Sequence, residues 1–156
     1  MSAVEDRLAE LGLTVPDVAM PVAAYLPAVR DGKHIFTSGQ LPMQSGTLAM
    51  TGKVGDGPGL VSAEDAEKVA QICALNAIAA VKALIGDLDK VTQVVKVVGF
   101  VASDPAFTGQ PGVINGASDL LGAAFGEAGA HARSAVGVAV LPLDSPVEVE
   151  IIVSVR

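Results

Sequence analysis

A chain of 156 residues is long enough to bury one hydrophobic core and too short to make two domains the expected arrangement. Its formal net charge of −7 is the opposite of the clustered positive charge that binds nucleic acid or anionic membranes, so we expect neither partner. A single cysteine excludes an internal disulfide, no Cys/His group has metal-ligand spacing, and no leader or long apolar run is evident. We therefore expect a soluble, cytoplasmic protein.

The first twenty residues predict a short helix and an extended connector. Ser2 and Glu5 have the spacing of a capping box, in which each side chain satisfies a backbone group at the start of a helix. Helically spaced apolar residues follow until a glycine ends the pattern, and two prolines then favour extended backbone. We expect residues 1–20 to lead into a single domain formed by residues 21–156.

A β-hairpin and a glycine-rich segment are predicted next. Residues 23–30 and 33–38 flank Asp31-Gly32, a dipeptide that accepts the positive φ angles of a tight two-residue turn. The segment 43–59 is rich in glycine, and within it only residues 48–50 suggest a short strand. We expect this segment to be irregular and mobile.

Two long helices are predicted on either side of a buried strand. Ser62 opens a second capping box, and the apolar helical pattern that follows ends at Gly86. Residues 91–102 are apolar on both faces, which indicates a strand covered on each side. A second helical pattern spans residues 112–128, and the next glycine ends it.

The last part of the chain predicts two strands around a turn. Residues 134–141 alternate valine with alanine and glycine, and residues 147–155 place five branched apolar residues on one face. Glu148 and Glu150 point the opposite way. Arg133 precedes the first of these strands, in phase with its small-residue face and with no other cation until the last residue. A lone guanidinium at that position needs an anionic partner.

Together these elements predict an α+β sandwich, a sheet of five to six strands with both long helices on one face. The other face is predicted to carry Ala135, Gly137 and Ala139 with Glu148 and Glu150. Burying such a small-residue face against a second copy would explain its composition. We therefore expect a homo-oligomer with sites between subunits.

Several stretches occur in an order that is typical of one family. They are Tyr25, residues 36–42 (FTSGQLP), 94–96 (VVK) and 100–101 (FV), Asn115, and residues 132–134 (ARS), 141–142 (LP) and 147–150 (VEVE). In these stretches the chain resembles the Rid (reactive intermediate deaminase) family, also called YjgF-like or endoribonuclease L-PSP-like proteins. The resemblance covers roughly residues 21–155. It implies a chorismate-mutase-like fold with a mixed sheet, a homotrimer and no cofactor.

The resemblance also implies an activity and a set of site residues. Deaminating members hydrolyse a 2-imino or 2-enamino acid to a 2-keto acid and ammonia in a cleft between subunits. Arg133 would bind the substrate carboxylate as a bidentate fork, a geometry that lysine cannot reproduce. Glu148 would position the attacking water. Four further residues would line or floor the cleft: Tyr25, Asn115, Ser38 and Gly39.

Departures from the family pattern leave a second function open. Ala135 stands where the family often has a cysteine, and both the 43–59 segment and the N-terminal helix look atypical. A non-catalytic trimer that binds small carboxylate metabolites in the same clefts is therefore an alternative. Ribonuclease activity, suggested by one of the family's names, fits an acidic chain poorly.

Each candidate residue also has an ordinary structural interpretation. Arg133 could form an ion pair with Glu148 or Glu150 at a subunit interface, and either glutamate could simply be solvated on an alternating strand. Tyr25 and Asn115 could be ordinary hydrogen-bonding residues.

Three other residues with reactive side chains are expected to be structural. His34 and His131 flank strands and lack a companion ligand, a context in which a lone histidine is usually structural. Cys73 lies on the apolar stripe of a helix, where burial suppresses nucleophilicity. The glycine-rich 52–59 stretch lacks the Lys-Ser/Thr ending of a phosphate loop.

Overall fold

The computed structural model describes residues 1–18 and 23–156, so the end of the predicted connector and the first two residues of the predicted domain lie outside the described residues. The helices and strands are, in chain order, α1 (Ala3–Glu10), β1 (Ala28–Asp31), β2 (His34–Thr37), β3 (Met43–Gln44), β4 (Thr47–Leu48), α2 (Ala63–Ile85), β5 (Val91–Ala102), α3 (Gln110–Phe125), β6 (Ala132–Val138) and β7 (Val147–Val155). Short 3-10 turns follow α2, follow α3 and precede β7, at Leu88–Lys90, Gly126–Gly129 and Pro142–Asp144.

The main sheet has five strands in the order β1-β2-β7-β5-β6, and β3 and β4 form a separate two-stranded hairpin. β5 and β6 run parallel, whereas the other neighbours are antiparallel, so the sheet is mixed. Both α2 and α3 pack on the same face, the one that carries the buried residues of β5 and β7. This confirms the predicted α+β sandwich.

The sequence signals for α2 place both of its ends. The Ser62 side chain accepts a hydrogen bond from the Asp65 backbone N–H, and Gly86 ends the helix with a φ of 79°. By length and composition α2 could cross a membrane, but half of its most apolar stretch is buried inside the fold. The apolar face of α2 is therefore that of a core helix, which packs against both the sheet and its neighbour α3.

Helix α3 ends one short turn before residue 128, where the sequence predicts its end. The helix starts at Gln110 and stops at Phe125, and Gly126 leaves it with a φ of 62° before the 3-10 turn. Gly129 lies inside that turn, where a Cβ would collide with the Leu121 carbonyl oxygen. Gly126 is thus the helix stop, and Gly129 is required for close packing.

The hairpin is shorter than the sequence predicts. β1 begins at Ala28 rather than at residue 23, and Asp31 pairs with His34, so the two turn residues are Gly32 and Lys33. Only Gly32 has a positive φ, of 59°. Residues 23–27, which the sequence places in the first strand, do not pair with β2, whose register begins at Ala28.

The glycine-rich segment is more regular than predicted. It contains the β3–β4 hairpin, which turns at Ser45 and Gly46, both with positive φ. Val54 is fully buried and forms bridges with Val61 and Ser103, which attach the segment to the domain. The expectation of an irregular stretch is therefore wrong for these residues.

The last two strands do not pair with each other, because β5 lies between them. The predicted exposure of the β6 faces is also reversed. Arg133, Ala135 and Gly137 pair with residues of β5 that face the helices, whereas Val136 lies on the open face and is 44% exposed. Alternation assigns residues to a common face but does not determine which face is covered. Here Ala135 packs against the core on the helix face, whereas Gly137 on the same face remains exposed.

The open face of the sheet carries the two glutamates, as predicted, together with apolar side chains. Glu148 and Glu150 pair with Phe100 and Val98 of β5, away from the helices. Val29 and Phe36 lie on the same face near the opposite edge of the sheet, and they are 50% and 43% exposed. Among the described residues no helix or strand covers this face.

The N-terminal helix packs onto the domain rather than standing apart from it. Val4 and Leu8 belong to the same buried cluster as α2 and α3. The Asp89 carboxylate accepts hydrogen bonds from the first backbone N–H groups of α1, and Arg7 Nε donates to the Ala124 carbonyl at 2.7 Å. Helix α1 is thus fixed at both ends.

Candidate active site

Arg133 lies near the start of β6, an edge strand, and its side chain reaches α3. Its Nη1 donates to Asn115 Oδ1 at 2.8 Å and to Ser118 Oγ at 3.3 Å. Among the described residues Arg133 forms no ion pair, so neither Glu148 nor Glu150 of its own chain neutralises it. The structure therefore brings together two of the predicted site residues, Arg133 and Asn115, in a cationic group that lacks a carboxylate.

Ser118 is a member of this group that the sequence interpretation missed. It lies three residues after Asn115 on α3, a spacing that puts both side chains on one helical face. Its hydroxyl contacts both Arg133 and Nε2 of His131, the latter at 2.9 Å. Helical spacing from Asn115 was the signal that could have identified it.

Glu148 forms a second group with the loop after β2. Gly39 lies directly against its carboxylate, and a Cβ at that position would overlap Glu148 Oε1. Gln40 holds the loop in place through two backbone hydrogen bonds to Val149, of 2.8 and 3.0 Å. Only glycine lets the backbone approach this closely. Two of the predicted site residues, Gly39 and Glu148, thus lie in direct contact.

Burial raises the pKa of the Glu148 carboxyl, and the negative charge of Glu150 raises it further. Both effects disfavour the ionised form, because desolvation removes water from the charge and a like charge repels it. A carboxyl with a raised pKa binds a proton more tightly than an ordinary carboxyl, which suits a group that accepts a proton and returns it as a general acid–base group does.

Ser38 and Tyr25 lie on the same side of the molecule as Gly39. Ser38 donates through Oγ to the Leu26 carbonyl at 2.6 Å and through its backbone N–H to the Pro27 carbonyl at 2.9 Å. These bonds attach the segment after Tyr25 to the loop that floors Glu148. The Tyr25 side chain is 54% exposed.

The two groups do not meet within one chain. Arg133 pairs with the buried Val97 and lies on the helix face, whereas Glu148 pairs with Phe100 and lies on the open face. Their strands are separated by β5, and the loop that carries Gly39 follows β2, on the far side of β7. One chain therefore holds two separate half-sites: an arginine group and a glutamate group.

The remaining candidates have structural surroundings. His34 is exposed on β2 and contacts Phe36 edge-on. Cys73 is fully buried, and burial raises the pKa of its thiol well above the ordinary value. Within the described part of the chain no group of three His, Cys, Asp or Glu residues could hold a metal ion. A cavity of about 440 Å³ between α2 and the β3–β4 hairpin contains none of the six predicted site residues.

The fold is a five-stranded mixed sheet under two helices, and the predicted site residues form an arginine group and a glutamate group. Comparison with known sequences identifies the class of protein to which this chain belongs. A family model described as "YjgF/chorismate mutase-like, putative endoribonuclease" matches residues 5–155. The chain belongs to this YjgF/Rid-like family. The match begins inside α1, and therefore includes the N-terminal helix that looked atypical from sequence.

Individual relatives support this membership. Protein TCP17 of Trypanosoma cruzi is 42% identical over 151 residues, which cover 96% of this chain and 92% of the relative. The structure of Atu1372 from Agrobacterium tumefaciens, a protein of unknown function, is 47% identical with a TM-score of 0.91, covering 99% of this chain and 93% of the other. TdcF of E. coli with bound serine is 26% identical with a TM-score of 0.59, over 89% and 93% of the two chains.

Proposed function

We propose that this protein is an enamine/imine deaminase that hydrolyses reactive 2-imino or 2-enamino acids to 2-keto acids and ammonia. The observation that carries the proposal is the division of the site. In the described part of the chain Arg133, which contacts Asn115, has no carboxylate partner, and Glu148 lies on the opposite face of the sheet. Each group offers half of what the reaction needs, a carboxylate binder and a proton acceptor.

Both half-sites would be used if the protein is a homotrimer with sites between subunits. The open sheet face is apolar around its glutamates and extends to Val29 and Phe36, a composition suited to contact with another copy. In such an assembly Arg133 of one subunit faces Gly39 and Glu148 of its neighbour. The trimer has three equivalent clefts, one for each pair of subunits.

The chemistry follows from the two groups. Arg133 binds the substrate carboxylate, while Glu148 removes a proton from a water whose oxygen forms a bond to C2 of the protonated imine. The C=N π electrons move to nitrogen and give a carbinolamine. Glu148 returns the proton to that nitrogen, the C–N bond breaks to release ammonia, and the hydroxyl oxygen forms the C=O bond as it loses its proton to the departing ammonia, which leaves as ammonium. A positioned base contributes about 10²- to 10⁴-fold to such reactions.

The test is an assay in which a dehydratase generates 2-aminoacrylate in the presence of this protein. The expected result is faster release of pyruvate and ammonia than in buffer, lost in Arg133→Ala and in Arg133→Lys, since an ammonium cannot form the bidentate fork. Rates equal to buffer over a range of imino acids would rule out the deaminase function.

A second candidate is a non-catalytic trimer that binds small carboxylate metabolites in the same clefts. It is favoured by Ala135, which stands near Arg133 where the family often has a cysteine, and by TdcF, a family member seen with serine bound. Thermal stabilisation by pyruvate or serine that depends on Arg133, without turnover, would support this candidate.

Endoribonuclease activity, named in the family description, is a weaker candidate for this chain. Its 17 acidic and 10 basic residues leave no electrostatic attraction for RNA phosphates. RNA cleavage that survives Arg133→Ala and extensive purification would overturn this conclusion.

The net negative charge and the single buried cysteine are consistent with a cytoplasmic location, which we propose with the function.

A further inference from the structure

A chain of hydrogen bonds runs from the turn before β6 to the guanidinium of Arg133. His131 Nδ1 contacts the Gly129 carbonyl oxygen at 2.6 Å, and its Nε2 contacts Ser118 Oγ at 2.9 Å. Ser118 Oγ in turn contacts Arg133 Nη1 at 3.3 Å, and the same Nη1 contacts Asn115 Oδ1 at 2.8 Å. Three consecutive contacts thus link the backbone of one turn to the proposed substrate-binding group, and a fourth links that group to Asn115.

The groups at the two ends determine the direction of two of these bonds. A carbonyl oxygen only accepts, so Nδ1 of His131 carries the hydrogen that points at Gly129. A guanidinium only donates, so the Ser118 oxygen accepts from Arg133. In the tautomer whose single ring hydrogen is on Nδ1, Nε2 has a lone pair and accepts from the Ser118 hydroxyl, so Ser118 donates to one neighbour and accepts from the other. Its hydroxyl then cannot rotate without breaking a bond.

The hydrogen bonds to Asn115 and Ser118 orient the plane of the Arg133 guanidinium. Nη1 carries two hydrogens, one directed at Asn115 and the other at Ser118. Among the described residues neither Nε nor Nη2 has a hydrogen-bond partner. These two nitrogens form one edge of the guanidinium, with parallel N–H groups that match the two oxygens of a carboxylate.

We propose that His131 and Ser118 are positioning residues, which hold the Arg133 guanidinium so that its Nε–Nη2 edge is presented to the substrate carboxylate. This inference rests on the proposed function of Arg133 as the carboxylate binder. Neither residue touches substrate in this arrangement. They restrict the Arg133 side chain before the substrate binds. The side chain therefore loses less conformational entropy on binding.

Matched variants separate the two ends of the chain of bonds. His131→Gln places an amide near the position of Nε2 and preserves the contact to Ser118, whereas His131→Asn imitates Nδ1 and preserves only the contact to Gly129. Ser118→Ala removes the hydroxyl and Ser118→Thr keeps it. We expect KM for 2-aminoacrylate to rise about three- to tenfold in His131→Asn and Ser118→Ala, as for the net loss of one ordinary hydrogen bond, with a smaller change in kcat. His131→Gln and Ser118→Thr should remain within about twofold of the wild type.

Spectra of the ¹⁵N-labelled guanidinium groups provide a readout that does not depend on turnover. In the wild type the Arg133 signals, assigned by their loss in Arg133→Ala, should show slow rotation about the Cζ–Nη1 bond. That rotation should become fast in Ser118→Ala and stay slow in Ser118→Thr. Thermal melting of each variant checks that the fold is retained.

The outcomes distinguish this inference from the proposed function. Loss of activity in Arg133→Ala with unchanged KM and unchanged rotation in Ser118→Ala and His131→Asn overturns the positioning role alone. If the wild type shows no turnover, the affinity for pyruvate replaces KM as the measured quantity. Failure of both turnover and Arg133-dependent pyruvate binding overturns the proposed function and this inference together.

Discussion

The guanidinium of Arg133 and the carboxylate of Glu148 lie on opposite faces of one sheet, on strands that β5 separates. Neither side chain can reach the other within a chain, and no carboxylate among the described residues pairs with the arginine. If one reaction uses both groups, they must come from different subunits.

This separation predicts that two inactive variants restore activity when they assemble together. Arg133→Ala and Glu148→Gln should each be inactive alone. In a cyclic trimer every mixed assembly contains one cleft that takes an intact arginine from the Glu148→Gln chain and an intact glutamate from the Arg133→Ala chain. Mixed trimers should therefore show about a third of the wild-type activity, and an unselected random mixture of equal amounts about a quarter.

The measurement is the deaminase assay on mixed trimers, co-expressed with two different tags and purified over both. Two variants at the same position, Arg133→Ala and Arg133→Lys, serve as the control pair and should not complement. Mixed trimers as inactive as their parents would show that the two groups do not share a cleft.

The raised pKa of Glu148 predicts a pH-dependent gain in stability when its charge is removed. A pKa above the ordinary 4.5 means that the folded state holds this proton more tightly than the unfolded state. The favourable contribution is present below pH 4.5 and is lost as pH rises through the folded-state pKa. Glu148→Gln should therefore raise Tm at pH 7 to 8 and leave it nearly unchanged near pH 4.

Melting curves of the two proteins at several pH values test this sign. The comparison is repeated in an Arg133→Ala background, which removes any charge that a neighbouring subunit brings to Glu148. A variant that is less stable than its parent at pH 7 in that background would contradict the assignment of burial as the dominant cause.

The close approach of Gly39 to Glu148 predicts that one methyl group is sufficient to damage the site. Because a Cβ at Gly39 overlaps the carboxylate, Gly39→Ala should displace Glu148 and lower kcat by about tenfold or more. The matched control is Gly122→Ala inside α3, where a Cβ meets nothing within 4 Å. That variant should keep its activity and gain about 0.5–1 kcal/mol of stability from helix propensity.

Steady-state kinetics and chemical denaturation of the two glycine variants decide the matter. Full activity in Gly39→Ala would mean that the loop can move away from Glu148 at little cost, and that the observed contact does not set the position of the carboxylate.

The ion pair between Glu5 and Lys82 predicts a stabilising contact that acid removes. The hydrogen bond from Lys82 is the largest cause that lowers the pKa of Glu5 from 4.5 to about 2, followed by bonds from Ser2. A lowered pKa contributes stability above pH 4.5, and that contribution is lost as pH falls from 4.5 toward 2. Lys82→Met should cost about 1 kcal/mol at pH 7 and progressively less in acid.

Lys68→Met provides the comparison, because Lys68 pairs with Glu64 and Asp65 on the exposed surface of α2. Solvent screens those charges, so its loss should change the free energy of unfolding much less than the loss of Lys82 does. Equal effects of the two lysine variants would show that α1 is not held by Glu5.

Several elements could be predicted from local signals alone. The limits of α2 follow from Ser62 and Gly86, β5 occupies residues 91–102 as predicted, and β7 occupies 147–155. In each case the cause lies within a few residues, in a cap, a helix stop or an unbroken apolar run. The site residues were named by resemblance to a family rather than from patterns, since a lone arginine carries no local signal of its partner.

The tertiary structure alone decided which strands pair, which faces are covered and which side chains meet. Alternation in β6 predicted two faces, but only the position of α3 shows that the alanine and glycine face is the covered one. The same packing brings Ser118 and His131 to Arg133 and directs Arg133 away from Glu148. These relationships depend on contacts between residues distant in the chain. For that reason the sequence by itself determined the elements and the family, whereas the division of the site into two half-sites required the fold.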